Sequence, residues 1–131
     1  MDRPNLSAEI NRAIQTSERE VGVWLGDIPP SHELRVQTRN TLYELKTSPK
    51  GGWLIRGNVK WCPDWSQVRV HGSTFGGSMI KLGFVGKDMN MEFSLAGEAK
   101  LGQEPPWTAI LTTSKIVDIW EVDEEGRCQA V

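Results

Sequence analysis

The sequence predicts a mainly β fold: a single antiparallel barrel or sandwich of about seven strands, with an N-terminal helix. Three observations lead there. From Leu34 onward, short segments alternate apolar and polar side chains, the period of a sheet with one buried face. Clusters of glycine, proline, serine and asparagine separate those segments, and no long helical pattern intervenes.

The first segment, from about Leu6 to Val21, is the exception. Leu6, Ile10, Ala13 and Ile14 recur at helical spacing, Asn5 or Ser7 can cap the start, and Glu9 suits the positive end of the helix dipole. Its narrow apolar stripe fits a docked surface helix or an arm that binds a partner protein. Val21 to Leu25 is a short apolar run, and Asp27-Ile28-Pro29-Pro30 ends it, because proline removes a backbone donor and restricts the residue before it. The expected division is therefore residues 1–30 as a helical extension, 31–122 as the β domain and 123–131 as an acidic tail.

Within the β domain, Leu34 and Val36 mark one strand and Tyr43 and Leu45 a second, with Arg39-Asn40 as the turn between them. Ser48-Pro49-Lys50-Gly51-Gly52 makes the next turn, Trp53 to Arg56 a third strand, and Val68 and Val70 mark a fourth. Ile80, Leu82 and Phe84 alternate with Lys81. Met89, Met91, Phe93 and Leu95 alternate with Asn90, Glu92 and Ser94, so a hairpin across Gly86-Lys87-Asp88 is expected. After a loop from Gly97 to Pro106, Trp107 to Thr113 and Ile116 to Val122 supply one or two closing strands. Glycines within or beside strands, at positions 57, 72, 83 and 86, favour a barrel, since closure demands bends.

The chain has 131 residues, a net charge of −2 and 24% charged residues, the composition of an ordinary globular domain. Its apolar runs are short and Met1-Asp2-Arg3-Pro4-Asn5 lacks the layout of a secretion signal, so no membrane association and a cytoplasmic location are expected. Cys62 and Cys128 form no C-x-x-C pair and only two histidines exist, so free thiols, no metal site and no cofactor are expected. Between Arg35 and Lys87 there are nine positive residues against two negative, with acidic flanks on both sides. Such asymmetry marks a basic face only if the fold does not interleave the segments.

His71-Gly-Ser-Thr-Phe-Gly-Gly-Ser78 is the most distinctive stretch. A phosphate-binding loop would need a lysine directly after its last glycine and a helix beyond; here Lys81 comes four residues after Gly77 and the pattern beyond is that of a strand. A bulge or tight barrel corner is the favoured reading, ahead of a looser anion nest. For serine hydrolysis His71 with Ser73 lacks triad spacing and no G-x-S-x-G elbow occurs. Glu44, Glu92 and Asp118 are strand-borne carboxylates with nothing to single out a pair, and Cys62 is an unsupported nucleophile. No catalytic set is coherent.

Six tryptophans are the other resource. Trp61 and Trp65 lie in a proline-containing loop flanked by Lys60 and Arg69, an arrangement that packs over a core, forms a protein-contact hot spot or stacks single-stranded nucleic acid. The candidate binding residues are thus Lys60, Trp61, Trp65, Arg69, His71, Ser73 and Lys81. The favoured function is a noncatalytic binding or protein-interaction module. A nucleic-acid binder using the basic and aromatic residues is the alternative, and an enzyme in which His71, Ser73 and a carboxylate converge is the third reading.

Thr38-Arg39-Asn40-Thr41-Leu42-Tyr43-Glu44-Leu45, Gly72 to Lys81, Met89 to Phe93 and Thr112-Thr113-Ser114 together resemble a group of small uncharacterised bacterial proteins. The resemblance spans about residues 34 to 119 and implies a self-contained bacterial β domain. It carries no activity with it.

Overall fold

The computed structural model describes residues 21–76, 80–97 and 107–131. The N-terminal helix expected from the sequence lies outside them. Ten strands run through the described chain: β1 Gly22–Trp24, β2 Glu33–Thr38, β3 Leu42–Thr47, β4 Trp53–Arg56, β5 Ser66–Thr74, β6 Ile80–Leu82, β7 Phe84–Gly86, β8 Asn90–Ala96, β9 Trp107–Val122 and β10 Cys128–Ala130. Among the described residues the only helical element is a 3-10 turn, Leu25–Asp27, and no helix is long and apolar enough to cross a membrane.

Six strands close into an antiparallel barrel, in the ring β2, β3, β4, β5, β8, β9 and back to β2. The expected barrel, not a sandwich, is thus what forms. Its closure depends on β9, whose early residues pair with β8 while Ile116 to Val122 pair with β2. One long strand therefore serves two neighbours at offset positions, the stagger that a closed sheet requires.

The sequence period explains each wall. In β2 the residues Leu34, Val36 and Thr38 are buried and their neighbours are not; in β3 Tyr43 and Leu45 repeat the pattern in register, Leu34 facing Leu45 and Val36 facing Tyr43. Thr38 ends β2 by accepting the amides of Asn40 (3.4 Å) and Thr41 (3.1 Å) on its hydroxyl, which donates to the Thr41 carbonyl. The side chain thereby replaces ladder bonds that the turn forfeits. Ile55, Val68, Met91, Phe93, Ile116 and Ile119 complete the interior.

One expectation needs correction. The hairpin across Gly86-Lys87-Asp88 does not form: the segment expected to pair with β8 is split at Gly83 (φ +73°) into β6, which pairs with β5, and β7, which pairs with β1. The cause is Ser73, whose buried hydroxyl donates to the Phe84 carbonyl (2.5 Å) and accepts the Gly86 amide (3.1 Å), drawing β7 away from the line of β6. Leu25 and Ile28, ahead of the expected boundary at Pro30, pack into the barrel core beside Val85. The stretch expected as an acidic tail turns back into the sheet. Asp123 accepts the amides of Glu125 (3.0 Å) and Arg127 (2.9 Å), and β10 then pairs with β9 from Trp120 to Val122.

Candidate binding surface

Strand register determines which side chains share the outer wall. Arg69 faces Ser94, which faces Ile110; Leu82 faces Gly72, which faces Glu92, which faces Thr112. The register slips between Val70 and Gly72, so two residues of β5 oppose one of β8. This bulge, the favoured reading of the glycine-rich stretch, carries His71 over β8. Residues 77–78 of that stretch lie outside the described residues.

The result is a polar seam that sequence spacing did not reveal. Glu92 Oε2 lies 2.8 Å from His71 Nδ1, and Ser94 Oγ lies 2.8 Å from His71 Nε2. A carboxylate at Nδ1 and a serine hydroxyl at Nε2 is the order of groups in a hydrolase triad. The other half of such a site is missing from its surroundings. Ser94 sits mid-strand, paired with Arg69 on one side and Ile110 on the other, so the neighbouring backbone amides are taken up in ladders and cannot receive an oxyanion. The serine expected near His71 points elsewhere, since Ser73 is held inside by Phe84 and Gly86.

Apolar side chains flank the seam. Leu82 on β6 is 70% exposed and Ile110 on β9 is 68% exposed. They stand three strand spacings apart on the same outer wall, about 14 Å. Burial on folding cannot explain either residue.

The remaining candidates occupy separate places. Lys60 and Trp61 lie in the β4–β5 loop, which Asn58 shapes by accepting both their amides, at 3.0 and 3.1 Å; the Lys60 ammonium sits 5.1 Å from the Trp61 ring centre. Trp65 is stacked by the protein's own cations, Lys46 at 4.1 Å and Arg56 at 4.5 Å. Arg69 lies 4.6 Å from the Trp107 ring, which places it at the border of the seam. Lys81 faces away from Leu82, 4.4 Å from Phe84 and 5.4 Å from Trp24. Of the seven, only Arg69 and His71 meet on the outer wall.

Four of the nine middle-segment cations stand beside carboxylates. Lys46 faces Glu33 and Arg35 faces Glu44 across β2 and β3. Glu44 also accepts two bonds from Arg56, each at 3.2 Å, and Lys87 lies 3.4 Å from Asp118. Opposite charges set side by side in this way weaken the local field. Cys62 is fully buried, and burial raises its thiol pKa, the opposite of what activates a nucleophile. Among the described residues no three His, Cys, Asp or Glu side chains converge as metal ligands.

A second histidine joins the chain ends of the barrel. His32 Nδ1 lies 2.5 Å from Glu121 and Nε2 lies 3.1 Å from Glu124, which also accepts from the Ser31 hydroxyl. The bond to Glu121 holds the His32 pKa above its ordinary 6.5, against partial desolvation. Because the folded value exceeds the unfolded one, this contribution is complete below about pH 6.5 and is lost as pH rises through the folded value. The melting temperature is expected to fall as pH rises from 6.5, and H32Q is expected to flatten that slope. Parallel profiles for the two proteins would refute the assignment.

No known protein family matches the chain, and neither the curated proteins nor the solved structures contain a match.

Proposed function

We propose that this chain is a noncatalytic protein-interaction module whose contact surface is the outer wall of β5, β6, β8 and β9. The observation that carries the reading is the placement of Leu82 and Ile110, both more than two-thirds exposed, on either side of the His71–Glu92–Ser94 seam. Apolar contacts around a few oriented polar groups suit recognition of a protein surface. The carboxylates beside Arg35, Lys46, Arg56 and Lys87 favour this over nucleic acid, which would need phosphates to meet cations not already matched. The resemblance to small bacterial β proteins adds no activity to either side.

A photo-crosslinker installed at position 110 in the cells that make the protein tests this. Discrete protein adducts are expected there and not from the more exposed loop position Val59, with a yield unchanged by added salt. Adducts to nucleic acid, or none above the Val59 background, would overturn the reading.

The hydrogen-bonded order of Glu92, His71 and Ser94 favours one second reading, a serine hydrolase. An activated aryl ester separates the two: hydrolysis by the wild type and S94A should match. A turnover that S94A abolishes would favour the enzyme.

A further inference from the structure

We propose that the outer edge of β6 is a strand-pairing site that takes an extended segment of a partner polypeptide as an added strand. The inference deepens the interaction-module reading and rests on it. The Gly83 amide donates to the His71 carbonyl at 2.8 Å, which sets the alternation of bonds between β5 and β6. Counting back along the antiparallel ladder, Lys81 turns its backbone groups toward Ser73, whereas Ile80 and Leu82 turn theirs away from β5.

Past Gly83, β7 pairs with β1 from Gly86 to Phe84 in a separate two-stranded sheet, the Leu25 amide reaches the Gly83 carbonyl at 2.8 Å, and the chain then leaves in the 3-10 turn Leu25–Asp27. Beyond that departure no described strand covers β6. The outward amides and carbonyls of Ile80 and Leu82 form a short row, and extended backbone matches such a row.

Of the three side chains on this edge only Lys81 is charged, the guard that solvent-facing edges commonly carry, and it lies on the face opposite Ile80 and Leu82. Ile80 and Leu82 project on the outer wall, and Phe75 and Trp24 are each close to half exposed nearby. Trp24 is reached through its ring contact with Phe84, 4.9 Å between centres. A partner strand with apolar residues at alternate positions would lay them against Ile80 and Leu82.

A second copy of the chain suits the edge less well. Two-fold antiparallel pairing of β6 with itself in the register that uses all three residues would centre on Lys81 and set like charges directly opposite each other, which destabilises a sheet. The proposed occupant is therefore a different polypeptide, lacking a cation at the position that faces Lys81.

The probe is a short capped peptide alternating valine with threonine and glutamate, added to the full chain while backbone amide exchange is followed residue by residue. With a Kd of about 0.1 mM and about 1 mM peptide, exchange at Ile80 and Leu82 should slow about tenfold, following 1 + [L]/Kd. L82P removes the outward amide without touching the β5 ladder and should abolish the protection at Ile80. L82K, which leaves the backbone intact, should weaken it. I110D should leave it in place.

Unchanged exchange at Ile80 and Leu82 would overturn the edge site, as would protection that survives L82P. Protection of these amides in the peptide-free chain that grows with protein concentration would identify a second copy instead. If adducts form at position 110 while β6 stays unprotected, the edge proposal falls and the outer-wall reading stands.

Discussion

Replacing Gly72 by alanine is expected to cost more than about 4 kcal/mol, enough to remove most of the stability of a domain this size. The residue has φ +146°, a region that side-chain-bearing residues avoid at about 1–3 kcal/mol. A Cβ there would meet the Lys81 carbonyl oxygen at 2.1 Å and the Gly83 nitrogen at 3.0 Å, both backbone atoms that cannot rotate aside. Relief would demand separating β6 from β5, which would also pull Ser73 from its bonds to β7. Gly126 supplies the control. It too has positive φ, +83°, but a Cβ added to it would have nothing within 4 Å, so G126A should cost only about 1–2 kcal/mol. Urea unfolding of the two variants measures the difference, and equal losses would show that φ, not the close approach of β6, fixes the glycine.

The walls of the barrel were legible because their period is purely local. Leu34, Val36, Tyr43 and Leu45 report their faces by alternation alone, and each faces inward as expected. Partner choice was not legible in the same way. Met89 to Leu95 shows an alternating pattern that fits pairing with residues 79–85 across a tight turn, yet β8 lies between β5 and β9. What decided it was a single hydroxyl, Ser73, whose two bonds to β7 involve residues eleven and thirteen positions away and leave no periodic trace. The same holds for the seam. His71 was singled out in the sequence, but Glu92 and Ser94 read as ordinary outward positions until the bulge at Gly72 set the register.

Three hydroxyls of the polar segments turn out to hold architecture. Thr38 closes the β2–β3 turn, Ser73 anchors β7, and Thr113 accepts the Met91 amide on its hydroxyl at 3.0 Å. Each satisfies a backbone group where the ladder is interrupted, a requirement that follows from closing the barrel. A sequence can therefore share these residues for the sake of the fold while differing at Leu82 and Ile110, where contact with a partner would be decided.

Phe93→Ala is expected to destabilise the domain by about 3–5 kcal/mol, through lost burial and the cavity left behind. The ring is 1% exposed, stands in register with Val70 on β5 and Leu111 on β9, and meets Tyr43 edge-on at 6.0 Å across the interior. It thus touches walls on opposite sides of the barrel, so neighbouring side chains cannot collapse into the space without bending a strand. One position further along the wall the outcome reverses. Ile110→Ala lies opposite Ser94 on the outer face, and should change stability by less than about 0.5 kcal/mol while reducing partner contact. Denaturant midpoints for the two variants test the inside and outside assignments of β8 and β9 together. A large loss at 110 would mean that Ile110 supports the fold, and the interaction surface would lose its apolar contact on β9.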